Sequence, residues 1–126
     1  MNKRFAYAVT GLFLASASPV TADTWLESSQ AKLQTLDKIT ARISSLDVAL
    51  NVPERFGTLE ITVLRCAYRP PEEPPEDAAY LTVRDVGHDR TIAPVEVFSG
   101  WVFSSSPAIS GLEHAVYDVT LITCLR

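Results

Sequence analysis

An all-β domain is what this 126-residue chain predicts, and three observations carry that expectation. Apolar residues recur at every second position in six short runs. Turn-forming residues separate the runs, and none of them shows the three-four spacing of an amphipathic helix. β-branched and aromatic residues, which strands favour, fill the apolar positions. The architecture expected is a single small antiparallel barrel or two-sheet sandwich of about six strands with one disulfide. The pattern does not choose between barrel and sandwich.

The elements follow in order. Lys3 and Arg4 precede an apolar stretch from Phe5 to Ala17, and Val20-Thr21-Ala22 supplies a small-residue cleavage site. Residues 1–22 therefore read as a secretory signal peptide cut after Ala22, leaving Asp23 at the N-terminus. The apolar stretch falls short of the roughly 20 residues that span a bilayer, so no stable membrane insertion is expected. A lipid anchor would need a cysteine beside the cleavage site, and the first cysteine is Cys66. Trp25 to Gln34 carry too few apolar positions to decide between a frayed tail and a short helix, and residues 23–35 read as a poorly ordered lead-in to an all-β domain over 36–126.

From Leu36 the two-fold pattern begins. Ile39, Ala41 and Ile43 alternate with polar residues, Ser44-Ser45 reads as a turn or bulge, and Leu46, Val48 and Leu50 continue the alternation. Pro53 ends that run because it donates no hydrogen bond to a ladder. Leu59, Ile61 and Val63 form the apolar face of a strand entered through Gly57. Tyr80 to Val86, Val95 to Phe103 and Ala115 to Cys124 complete the set, and a helical turn is expected within Ser106 to His114, started by Pro107 behind a Ser106 cap. Between two strands lies Arg69-Pro70-Pro71-Glu72-Glu73-Pro74-Pro75-Glu76-Asp77, a stiff, solvated connector of polyproline character that also guards a sheet edge. Its other reading is a ligand for a proline-recognition groove.

Removal of residues 1–22 leaves 104, enough for one domain with a modest core. With Lys3 and Arg4 gone, the 11 basic residues fall to 9 against 15 acidic ones, a net charge of −6. That balance disfavours nucleic acid and anionic lipid as partners. Export favours a single bridge between Cys66 and Cys124 over two buried thiols. Both cysteines are even-numbered, whereas the apolar faces around Leu59 and in the last strand are odd-numbered. If no bulge intervenes, the bridge lies outside the main core.

Phe98, Trp101 and Phe103 make the densest aromatic segment. Core packing is the expectation for Trp101, with Gly100 relieving crowding; the alternative is an exposed ledge that stacks on a sugar or a partner protein. Ser104 to Ser106, His114 and Asp118 have the residue types of a catalytic triad, but no nucleophile-elbow motif accompanies them. His114 is expected instead to donate a hydrogen bond that fixes its turn, and Asp118 to satisfy nearby backbone donors. His88-Asp89 and Glu113-His114 contain metal-ligand types without a preorganising spacing, and His88 reads as part of a hairpin loop.

Arg55-Phe56-Gly57-Thr58-Leu59, the proline-rich connector, Phe98-Ser99-Gly100-Trp101, Ser105-Ser106-Pro107, Leu112-Glu113-His114, Tyr117-Asp118-Val119 and Cys124 together resemble an uncharacterised, domain-of-unknown-function family. Its members are small exported proteins found mainly in alphaproteobacteria. The resemblance covers about Leu36 to Cys124. It implies a periplasmic address and pairing of the two cysteines, and no activity. Val102 stands where that pattern has methionine, Ala115 where it has proline and Thr120 where it has tryptophan.

The function expected is therefore that of a periplasmic interaction module that binds another envelope protein, with no cofactor, no metal and no catalysis. A carbohydrate- or cell-wall-binding module using Trp101 is the second reading and a small hydrolase using His114 the third. Expressed in a Gram-negative host, the exported product should begin at Asp23. An intact mass that retains Met1 to Ala22 would contradict the assignment of the leader.

Overall fold

A computed structural model describes residues 11, 16–19, 24–87, 89–106 and 112–126. Most of the leader, the cleavage point, His88 and the Pro107 turn lie outside the described residues. Among those residues there are nine strands and no helix. They are β1 (Leu26–Ser28), β2 (Gln30–Asp37), β3 (Arg42–Ala49), β4 (Glu54–Phe56), β5 (Leu59–Tyr68), β6 (Asp77–Asp85), β7 (Val95–Phe103), β8 (Leu112–Glu113) and β9 (Tyr117–Leu125).

Every pairing is antiparallel. One sheet has the order β1-β5-β6-β7, with β4 also on β5, and the other has the order β3-β2-β9-β8. The sheets stack face to face, chiefly β6 on β9, so the all-β expectation resolves as an open two-sheet sandwich. Leu33, Val48, Leu59, Ile61, Val63, Leu81, Val83, Val102, Val119 and Leu121 fill the space between them.

The N-terminal half differs from expectation in two places. The lead-in expected over 23–35 is not loose in its described residues: 24–35 supply β1 and most of β2, and Ala31, Leu33 and Thr35 are fully buried. The signal was faint because two of those three inward positions are alanine and threonine. The run Ile39-Ala41-Ile43 is not one strand face. Residues 38–41 form the turn between β2 and β3, where Asp37 Oδ1 accepts the amides of Ile39 (2.9 Å) and Thr40 (3.2 Å). Ile39 is 77% exposed as a result. β3 runs straight through Ser44-Ser45, which pair with Thr35 and Gln34.

Two bulges overturn the parity argument for the disulfide. Val63 pairs with Leu81 and Arg65 with Tyr80, leaving Leu64 as an extra residue in β5. Lys32 pairs with Thr123 and Leu33 with Leu121, leaving Ile122 as an extra residue in β9. Each extra residue reverses which positions face the core beyond it. Cys66 and Cys124 therefore point inward, at 0% and 1% exposure, and their bridge joins the two sheets through the core with a Cα separation of 5.7 Å. Beside it, buried Asp77 accepts the Cys124 amide (2.7 Å) and the Thr123 hydroxyl (2.6 Å), a second tie between β6 and β9.

The opposite end of the sandwich is held by polar and aromatic contacts. His114 Nδ1 accepts the Val116 amide (3.1 Å), and Nε2 faces Asp85 Oδ2 at 3.3 Å. Tyr117 packs edge-on against Phe56 at 5.1 Å and covers Gly57. Gly57 has φ +58°, and a Cβ there would lie 2.3 Å from the Tyr117 hydroxyl, so both conformation and space require glycine.

Closing a loop between cysteines 58 positions apart removes about 4 kcal/mol of unfolded-state freedom. Reduction should lower the denaturant midpoint of unfolding accordingly, and alkylation of the folded, unreduced protein should modify neither cysteine. An unchanged midpoint after reduction would contradict the bridge's role.

Candidate functional site

The outer face of the β1-β5-β6-β7 sheet is built in rungs by the strand register. Glu27, Ala67, Ala78 and Phe103 form one rung, and Arg65, Tyr80 and Trp101 form the next. Trp25 precedes β1 on the same side, where the Arg69 guanidinium sits 4.7 Å from its ring centre. Further along, Thr62, Thr82 and Ser99 and then Glu60 and Arg84 make the face polar. One half of the sheet surface is thus aromatic and the other half hydrophilic.

The aromatic half encloses a groove of about 350 Å³ lined by Trp25, Arg65, Ala67, Ala78, Trp101 and Phe103. The two alanines form its floor, each only 4% exposed beneath the larger side chains. Its walls stand on β1 and β7, three strand spacings apart, or about 14 Å between backbones. Side chains on both walls narrow that further, which suits an extended chain or a flat ring better than a helix about 10–12 Å across. Tyr80 meets Trp101 edge-on at 5.4 Å, and the Arg65 guanidinium lies 5.9 Å from the Trp101 ring centre. Glu27 pairs with Arg65, and Tyr80 Oη lies 3.2 Å from Ser99 Oγ. These contacts hold the Trp101 ring in place while leaving it accessible.

The core placement expected for Trp101 is therefore corrected. Trp101 is 43% exposed and Phe103 37%, while Phe98 packs against the core and Val102 is fully buried. The inward side of β7 is Phe98-Gly100-Val102, and the larger rings take the other side. Size alone suggested burial, but two sheets of this length already fill their shared interior with aliphatic side chains.

His114 and Asp118 lie away from this groove. Lys38 Nζ contacts Asp118 Oδ1 at 2.8 Å and donates to the His114 carbonyl at 2.8 Å. Asp118 thus answers a lysine rather than backbone donors, and His114 fixes its turn by accepting the Val116 amide at Nδ1 rather than by donating as expected. Ser104 Oγ accepts the Asp77 amide (3.2 Å), at the far end of β6 from Asp85, which faces His114. Eight residues of strand separate those ends by about 26 Å, so the serines and His114 form no triad. Of the metal-ligand pairs, His88 lies outside the described residues and Asp89 accepts from Thr91 within its own turn.

Glu76, ending the proline-rich connector, receives hydrogen bonds from both the hydroxyl and the amide of Ser105 and from the Ser104 hydroxyl. Partial burial works against its ionisation, but these hydrogen bonds outweigh that and hold the carboxyl below its ordinary value. The bonds tie the connector to the end of β7, just after the groove residue Phe103. Sequence reasoning missed this clamp and the wall residue Trp25. A serine pair following an aromatic strand was the one available sign of the first.

The family model described as "Uncharacterized protein conserved in bacteria (DUF2155)" matches residues 31–124. An uncharacterized protein of Rickettsia prowazekii (strain Madrid E), RP359, is 25% identical over 96 residues, 76% of this chain. The aligned part spans 61% of that protein's length. No solved structure matches the chain.

A carboxyl with a lowered folded value stabilises the protein above its ordinary pKa, and the contribution is lost as pH falls through the folded value. Glu76→Gln should therefore flatten the decline of the melting temperature between about pH 5 and 3. Parallel acid limbs for variant and wild type would show that the clamp contributes nothing.

Proposed function

The chain belongs to this bacterial family, and from that premise we propose that it is an interaction module of the cell envelope. Its aromatic groove takes an extended, apolar segment of another envelope protein. The observation that carries the reading is the placement of Trp101 and Phe103, displayed over an alanine floor while the smaller Val102 between them takes the buried position. Aromatic anchors around a depression are what protein-binding surfaces use to gain affinity.

The leader sequence and the inter-sheet disulfide support a periplasmic address, since disulfides persist in oxidising compartments. Among the described residues no helix is long and apolar enough to cross a membrane. A binding role without catalysis accords with the use of His114, Asp118 and Ser104 in holding loops.

The Trp101→Ala variant tests the reading. Loss of one edge-on aromatic pair and one exposed cation–π contact should cost about 1–2.5 kcal/mol, against the ~3–5 kcal/mol of a buried ring. The folded variant should lose crosslinked capture of an envelope protein from native cells, while Ile39→Ala, on an exposed turn distant in sequence from the groove, should keep it. Capture unchanged by Trp101→Ala would contradict the proposal. Binding of cell-wall glycan fragments that disappears in the variant would instead favour the carbohydrate reading.

A further inference from the structure

The side chains of the aromatic groove offer hydrogen bonds of one kind only. Ala67, Ala78 and Phe103 carry no polar side-chain atom, and the remaining lining residues, Trp25, Arg65 and Trp101, donate through indole or guanidinium N–H groups that cannot accept. These donors are not used up within the chain. Among the described residues neither indole N–H meets an acceptor, and Arg65 gives Nη2 to Glu27 while its other N–H groups have no partner. The floor adds no acceptor. Ala67 pairs with Ala78, and β1 and β7 flank that pair on either side, so the backbone groups of the floor are engaged in the sheet ladder.

A surface that only donates sorts the chains that could lie on it. An extended segment of ordinary residues carries N–H groups as well as carbonyls along its edges, and N–H groups set against these walls would leave water and find no acceptor. Strand addition would satisfy them, but it needs a sheet edge, whereas this groove lies on a sheet face. A polyproline helix has the matching chemistry. Each proline keeps its carbonyl and lacks the N–H, and the helix makes no internal hydrogen bonds, so its carbonyls are available to outside donors. Its rings lie against aromatic side chains, and its shape is set before binding, so little freedom is lost.

We propose, resting on the reading of this groove as a protein-binding surface, that the segment it takes is a proline-rich stretch of the partner in the polyproline conformation. The proline rings lodge between Trp25 and Trp101 over the alanine floor, and the carbonyls accept from the two indoles and from Arg65. The chain's own proline-rich connector is folded on itself instead: the Arg69 amide donates to the Glu76 carbonyl and the Glu73 amide to the Pro70 carbonyl, each at 3.0 Å.

Calorimetric titration of the exported, disulfide-intact protein with an end-capped oligoproline of about ten residues tests the proposal; at about 3.1 Å per residue that peptide overruns the groove. The same peptide with every proline replaced by alanine is the comparison, and it should bind roughly tenfold or more weakly. Trp101→Phe keeps an apolar ring and removes the indole N–H, so it should weaken oligoproline binding by about fivefold with an unchanged circular dichroism spectrum. Ile39→Ala should leave binding as in the wild type. An alanine peptide that binds as tightly as oligoproline, oligoproline binding unaffected by Trp101→Phe, or no oligoproline binding at all would each overturn the proposal. In any of those cases, capture of an envelope protein that still depends on Trp101 would leave the protein-binding reading of the groove standing, and loss of that dependence would remove both.

Discussion

The disulfide between Cys66 and Cys124 could not cross the core without two extra residues, and the rest of the molecule is arranged around that fact. Leu64 and Ile122 each reverse the facing of the strand beyond them. The same reversal that turns Cys66 inward turns Arg65 and Ala67 outward. Were β5 regular, Arg65 would point into the apolar interior, where an unpaired guanidinium is strongly disfavoured. The bulge therefore serves both sides of the sheet. Inside it permits the covalent tie and brings Asp77 beside it to hold β9; outside it supplies a floor alanine and the cation that lies over Trp101.

This arrangement makes the two ends of the sandwich unlike. The bridged end is covalently fixed and carries the aromatic groove, and the proline-rich connector is clamped through Glu76 to Ser104 and Ser105, which follow the wall residue Phe103. The other end is joined by the His114–Asp85 contact and the Tyr117 ring over Gly57, with the Lys38–Asp118 pair bracing one sheet beside them. Partly exposed polar contacts of that kind are worth little each, so the rigidity a recognition surface needs is concentrated where the groove lies. Preorganised aromatic walls lose little freedom on binding, which is where such a surface gains affinity.

Much of the scaffold was legible in the sequence because alternation is local. The strands from Leu59, from Val95 and ending at Cys124 follow from residue spacing alone, as does the proline-rich connector. What failed depended on information that alternation does not carry. β2 hides its inward face behind Ala31 and Thr35. Ile39 and Ile43 fall on a two-residue spacing across a turn set by Asp37. A bulge leaves no compositional mark, so the facing of Cys66 and Cys124 came out reversed. Trp101 was expected inside because large rings usually are, yet the space between the sheets is taken by aliphatic residues from both. Trp25, separated from Trp101 by 76 positions in the chain, joins it only through the pairing of β1 with β5.

Both tryptophans of the chain line the groove, so their fluorescence reports on its openness without any mutation. The account predicts that the native, disulfide-intact protein emits at a wavelength typical of partly hydrated indole and is quenched readily by acrylamide. A blue-shifted emission that resists quenching until the protein unfolds would mean that the rings are sequestered, and would contradict the claim that this face of the sandwich is an open recognition surface.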